Sequence, residues 1–298
     1  MEVLIDWIKE NSQNKKHEKV WENTVIEHKA IVHEENGAKD KILTAKSKAG
    51  IKRGTRMPLP PNCILTLDKV VQSDIGVIFP ETEFDKYTLF ALFLNWQTRE
   101  KNSYFRFYVD VLPKVSEISF HPITFLTDRH RDNLRLAIEV EKHPLLLRSL
   151  TVQNTKLKYE WNKVQTRLNS KTKSQKISNN VVEICRSLTF DEFIWGNCMV
   201  ISRAFNMSEP KVMCMLPFVD SMNHNSVNPN VVWRPRLPKG HFVVSISKDI
   251  VEGEELTACY HSKTEEGKVS AEMEDLRQFV MYGFSESNRY QNVQEALR

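Results

Sequence analysis

The side chains best suited to hold and orient a ligand lie mostly in the last third of this chain. The string FVDSMNHNSVNPNV (218–231) sets Asp220, Asn223 and His224 within five residues, after an apolar run and before a turn. An asparagine amide donates and accepts at once, which suits a polar ring edge. An Asn-His pair in a loop is also ordinary turn chemistry. Arg203 offers a planar fork that pairs two-to-two with a carboxylate, or meets the dipole of a helix that ends there. Asp220 either holds that arginine or receives a substrate group. Tyr260 and Tyr282 can wall an alkyl chain with their rings and orient an amine with their phenol oxygens. Equally, both can be core tyrosines with satisfied hydroxyls. Metal chemistry is not expected: the cysteines at 63, 185, 198, 214 and 259 lie far apart, with no C-x-x-C and no short Cys/His spacing.

The elements that must carry these residues fall into three blocks. MEVLIDWIKENSQNKK reads as a short amphipathic helix with Val3, Leu4, Trp7 and Ile8 on one face. Short strands are expected at Trp21–Val25, Ala30–Val32, Lys41–Ala45 and Cys63–Leu67, with prolines 58, 60 and 61 excluding helix nearby. Helical periodicity then covers 87–101 and 123–168, broken at His143–Pro144, and an exposed loop follows at 169–180. FDEFIWGNCMVISRAF (190–205) reads as a helix capped by Thr189 or Asp191, with Trp195 as a core residue. The last third returns to short β-rich runs. A helical block between two β portions predicts an α+β fold whose β halves meet in space.

Composition sets bounds on function. With 41% hydrophobic and 27% charged residues over 298 positions, the chain can bury a large core. The net charge of +4 is too small to argue for nucleic acid. The basic run at 156–176 carries Tyr159 and Trp161 but no recognised nucleic-acid motif, so no such partner is expected. Acids gather late, from Glu252 to Asp275, where an acidic face can receive a basic peptide. No stretch is long enough to span a bilayer, and the start lacks the form of a signal peptide. The odd, unpaired cysteine count suits a reducing, cytoplasmic or nuclear compartment.

Several motifs in one order resemble the SET-domain methyltransferases, in the branch of Rubisco large-subunit and actin-histidine methyltransferases. Phe218, Val219, Asp220, Asn223 and His224 match its asparagine–histidine motif. EFIWGNCMVISRAF resembles its Trp-containing helix ending in Ser-Arg-x-Phe, which places Arg203. DIVEGEELTACY resembles the segment where a Gly-Glu turn leads to the active-site tyrosine, here Tyr260. FVMYGF matches the closing Tyr-Gly-Phe and places Tyr282. Upstream, PPNCILTLDKV and LFALFLNWQTREKNSYFRFYVDVLP resemble the turn, helix and aromatic segment that precede.

The resemblance implies a knot-like β core formed by residues 1–69 and 191–288, a helical insertion at 70–190 and a tail at 289–298. It implies Tyr260 as the catalytic residue. Asn223, His224, Arg203 and Tyr260 would bind S-adenosylmethionine, and Arg203, Asp220 and Tyr282 would bind substrate. The family's early Gly-x-Gly falls on Asp40 and Ile42, so Lys39, Asp40 and Lys41 are carried as cofactor-binding candidates. The branch also carries a helical substrate-binding domain for which this tail is too short. The implied function is lysine N-methylation of a non-histone, ribosomal or translation-type protein by a monomer. The alternatives are histidine methylation, or a catalytically impaired module that only binds.

Overall fold

A computed structural model describes residues 1–12, 15–23, 26–32, 39–118, 121–125, 132–170, 179–208, 211–236, 241–260 and 270–297. The chain forms two compact units: Met1–Thr66, Phe107–Val111 and Ala204–Glu266 make the first; Leu67–Arg106, Leu112–Arg203 and Gly267–Arg298 make the second. In chain order, α1 (Glu2–Glu10), α2 (Lys15–Asn23), β1 (Ile26–Val32), β2 (Lys39–Ala45), β3 (Arg56–Leu59) and β4 (Leu65–Thr66) come first. Helices α3 (Leu67–Val71), α4 (Asp74–Ile78) and α5 (Lys86–Arg99) follow, then α6 (Arg106–Val109), α7 (Leu134–Glu141), α8 (Pro144–Asn169), α9 (Asn179–Arg186) and α10 (Phe190–Arg203). Strands β5 (Ala204–Ser208), β6 (Lys211–Met215), β7 (Asn223–His224), β8 (Val231–Arg236), β9 (His241–Ile246) and β10 (Thr257–Ala258) precede the closing helices α11 (Ala271–Tyr282) and α12 (Gln291–Leu297).

In the first unit, β1 and β2 form an antiparallel ribbon, and β4, β6 and β5 form a three-stranded sheet in that order. The five-stranded sheet has the order β3-β9-β8-β10-β7. There β10 pairs parallel with both β7 and β8, while β3, β9 and β8 are antiparallel. The last strand in sequence thus lies between two earlier ones. The connection from β7 to β8 must cross it, a knot-like arrangement uncommon in folds. Trp21 locks α2 onto this unit: its indole donates to the Pro58 carbonyl at 3.0 Å and meets the Phe218 ring edge-on.

The second unit is helical. Its helices start where the sequence supplies caps. Asp85 accepts from the Thr88 N–H and Asn133 from the Leu136 N–H, Pro144 opens α8, and Thr189 and Glu192 exchange hydrogen bonds in a capping box. Helices α5 and α10 cross so closely that a Cβ on Gly196 would stand 2.7 Å from the Ala91 carbonyl oxygen. Leu136, Val140, Leu146, Leu150, Phe279 and Val293 share one apolar cluster that joins α7, α8, α11 and α12. Residues read as a tail therefore contribute to a core.

Four expectations change. Trp21 sits in helix α2, not in a strand, because the Lys/Glu-rich run KKHEKVW favours helix and its indole is anchored at Pro58. The Cys63–Leu67 strand shortens to Leu65–Thr66 between a 3₁₀ turn and α3. Val3 is exposed, and Ile5 takes its place on the buried face of α1. The helix at 190 ends at Arg203, so Phe205 belongs to β5. Residues 171–178 of the expected loop, and the acidic stretch at 261–269, lie outside the described residues.

Candidate active site

The first unit contains seven of the nine expected residues, all but Arg203 and Tyr282. Asn223 and His224 form β7, the edge strand of the five-stranded sheet, opposite Thr257 and Ala258 of β10. Two residues past β10 stands Tyr260. Its main-chain N–H donates to Nδ1 of His224 at 2.9 Å, and its hydroxyl donates to the Met222 carbonyl at 2.5 Å. The two rings lie 5.0 Å apart. The phenol is therefore pinned at the carbonyl just before Asn223. Because Nδ1 of His224 accepts an N–H, it bears no proton in this arrangement, and the neutral ring carries its proton on Nε2. The engagement of Nδ1 makes His224 a support for Tyr260 more than a base.

The loop between β7 and β8 is built to hold this placement. Asn225 accepts from the Val227 and Asn228 N–H groups, an Asx-type turn that folds the crossing back toward β8. Asn230 is 5% exposed and donates to the Glu255 carbonyl at 2.8 Å while accepting from the Thr257 N–H at 2.9 Å. One amide thereby stands in for both halves of a strand ladder. The Asn223 side chain donates to the Glu255 carboxylate at 2.7 Å. Half-burial raises the Glu255 pKa above its usual value, and the Asn223 hydrogen bond opposes that rise.

Asp220 lies in the 3₁₀ turn Val219–Ser221, buried, and accepts the Tyr108 hydroxyl at 2.5 Å. Phe218, just before this turn, is the one non-glycine residue with positive φ among those described, at φ 77° and ψ −48°. That conformation resembles the strained classic γ-turn, here forced on a fully buried aromatic. The strain sits five residues before Asn223.

Lys39, Asp40 and Lys41 occupy the start of β2. The two positions that match the family's glycines, Asp40 and Ile42, pair in regular register with Ile31 and Lys29 of β1. Further along, Leu43 accepts from the Leu256 N–H and Thr44 bridges Glu255. The far end of β2 thus borders the segment that holds Asn223. The side chains of Lys39–Lys41 lie outside the described residues.

Arg203 and Tyr282 belong to the second unit. Arg203 is the last residue of α10, and its charge pulls against the burial that pushes the Cys198 thiol up to about 12. Tyr282 ends α11, its ring 5.9 Å from Phe284, where Gly283 caps the helix at φ 78°. Burial raises the Tyr282 pKa, the Arg277 charge lowers it and the Glu274 charge raises it, so the phenol keeps its proton at neutral pH. Trp195 is buried and donates to the Pro113 carbonyl, a core role as expected. No group of three His, Cys, Asp or Glu side chains able to hold a metal occurs among the described residues.

Sequence reasoning passed over Glu255, Asn230 and Tyr108. Asn230 stood inside the quoted motif and Glu255 in GEEL, five residues before Tyr260. Only hydrogen bonds between distant segments show what they hold.

The SET domain model matches residues 14–261, and this chain belongs to that family. It is 25% identical, over 181 residues, to the chloroplastic ribulose-1,5 bisphosphate carboxylase/oxygenase large subunit N-methyltransferase of Nicotiana tabacum. That stretch covers 60% of this chain and 33% of the relative. Among solved structures, the SET domain of LSMT bound to lysine and AdoHcy matches with a TM-score of 0.63, at 18% identity, over 96% of this chain and 57% of that one. Rubisco LSMT bound to AdoMet matches with a TM-score of 0.62, at 19% identity, over 96% and 56%. The chain spans a third of the curated relative's length and less than three fifths of either solved chain.

Proposed function

We propose that this chain is an S-adenosylmethionine-dependent protein N-methyltransferase that acts on a lysine side chain. The observation that carries the reading is the Tyr260 phenol fixed at the Met222 carbonyl, beside the Asn223–His224 edge strand. Membership of the SET family and the likeness to a Rubisco N-methyltransferase support it. The donor set fits the cofactor. An exposed asparagine at a sheet edge offers amide and main-chain groups to a purine edge, and an arginine at a helix end suits an amino-acid carboxylate. Asn223, His224 and Tyr260 of the first unit would hold it, with Lys39, Asp40 and Lys41 as further candidates on β2, and Arg203 is proposed as a cofactor contact on the family resemblance alone. When bound, the cofactor supplies an activated methyl group on a sulfonium.

What remains for the protein is alignment, which can account for several kcal/mol of barrier. Tyr260 donates its one proton to the Met222 carbonyl, which leaves its phenol oxygen the role of acceptor toward an amine or a polarised C–H. A lysine ammonium has a pKa of about 10.4, and an apolar, aromatic approach favours its neutral form. Tyr282 and Asp220 are the proposed substrate contacts, Tyr282 through its ring and Asp220 through charge.

The proposed substrate is a non-histone protein, as Rubisco is for the tobacco relative, with ribosomal and translation proteins as the first class to try. A cytoplasmic or nuclear site is proposed on five free cysteines, four of them buried. Incubating the chain with radiolabelled S-adenosylmethionine and cell lysate, then mapping the labelled band by mass spectrometry, tests the reading, with Tyr260→Phe as the control. Label on lysine that vanishes in the control supports it. Label on histidine moves the reading to the histidine branch. The unbroken β2 ladder at Asp40 and Ile42 favours the second reading, a module that binds without catalysis, and S-adenosylmethionine titration without binding would select it.

A further inference from the structure

The Asn223 amide is not free to choose its orientation, and the residue that decides it has no role so far. The Glu255 backbone is held on two sides: its carbonyl accepts from Asn230 and the residue forms an isolated bridge with Thr44 of β2, while the next N–H donates to the Leu43 carbonyl. Its half-buried side chain then meets the exposed Asn223 side chain at 2.7 Å. An ionised carboxylate has no proton to give, so only the amide nitrogen of Asn223 can face it. The amide oxygen must then point the opposite way.

We propose that Glu255 is a positioning residue that fixes the Asn223 amide with its carbonyl oxygen directed outward, so that the loop presents an acceptor and selects a ligand N–H donor. This rests on the proposed cofactor site, and the donor would be an amino group of S-adenosylmethionine. Free in solution, an asparagine amide samples both flips and offers a donor half the time. Held by a carboxylate, it is preorganised for one partner. The charge-assisted bond is the stronger kind, which suits a clamp at an exposed strand edge. Half-burial holds the Glu255 pKa above the usual carboxylate value, and the hydrogen bond from Asn223, made to the charged form, opposes that rise.

A double-mutant cycle distinguishes this from a purely structural role for Glu255. S-adenosylmethionine affinity would be measured by calorimetry for the unaltered chain, Glu255→Ala, Asn223→Ala and the double variant, with thermal unfolding of each alongside. Each single change is expected to weaken binding about tenfold, and the double variant to bind no more weakly than Asn223→Ala alone. Affinity within twofold of the unaltered chain in Glu255→Ala, or additive losses in the double variant, would overturn the proposal while leaving the functional reading intact. Should Glu255→Ala fail to fold, Glu255→Gln carries the same cycle. Its amide can face Asn223 with either end, so a loss of about threefold that vanishes in the Asn223→Ala background is expected, and its absence overturns the proposal. No binding by the unaltered chain would overturn both readings together.

Discussion

Two stretches that the family motifs assign to one cofactor are built in opposite ways. Around β7 and β10, irregular backbone is held by side chains: Asn230 replaces ladder bonds, His224 caps the Tyr260 N–H, and Glu255 clamps Asn223. Along β2, seven residues run in unbroken antiparallel register with β1, straight through Asp40 and Ile42, the two positions where the family resemblance leads one to expect glycine. Glycine there would let backbone approach a ligand closely. A regular ladder instead commits its main-chain groups to the neighbouring strand. On the proposed function, binding chemistry would concentrate in the β7–β10 segment, with β2 as a wall beside it, through Leu43–Ala45 against Glu254–Leu256.

The largest expected effect comes from the strongest side of that contrast. Tyr260→Phe should lower methyl transfer at least about a hundredfold, in line with loss of one preorganised polar group in a site, while far-UV circular dichroism stays unchanged. Transfer within threefold of the unaltered chain would mean that the pinned phenol is incidental. Next, Asn230→Ala should cost about 2–3 kcal/mol in denaturant unfolding, because it strands the Glu255 carbonyl and the Thr257 N–H in a buried setting. On the β2 side, Asp40→Gly with Ile42→Gly should cost about 1–2 kcal/mol of stability from added chain entropy in a strand. If β2 is only a wall, cofactor affinity in that pair stays within about threefold by calorimetry; a large gain would show that its backbone blocks a site. The smallest effect is expected at Thr44. It is fully buried opposite Glu255, and its hydroxyl lacks a hydrogen-bond partner among the described residues. Thr44→Val should raise stability by up to about 1 kcal/mol in the same assay, since an unsatisfied buried hydroxyl is a cost.

Helices were legible where their signals are local. Thr189 and Pro144 mark starts, and α5 and α10 fall within two residues of their expected limits. The two-residue strands were not, because β7 and β10 exist only through pairing between segments more than thirty residues apart. Trp21 misled for the same reason: what fixes it is Pro58, thirty-seven residues away. Within the site, Asn223, His224 and Tyr260 were found by resemblance, and the geometry that joins them was invisible to composition or periodicity. Glu255 looked like one more acid in an acid-rich stretch. Nothing in its neighbours says that its carboxylate, unlike that of Glu252, faces an asparagine.

The crossing of the β7–β8 connection over β10 has a consequence for how such a chain matures during synthesis. A nascent polypeptide that has emerged only as far as residue 250 already holds the Asn-His pair and most of the five-stranded sheet, yet it lacks the strand that belongs between β7 and β8. Threading that strand must be a late event, slow because its contacts are distant in sequence. The same barrier, met in reverse, should make loss of the finished site on heating a matter of rate as much as of equilibrium.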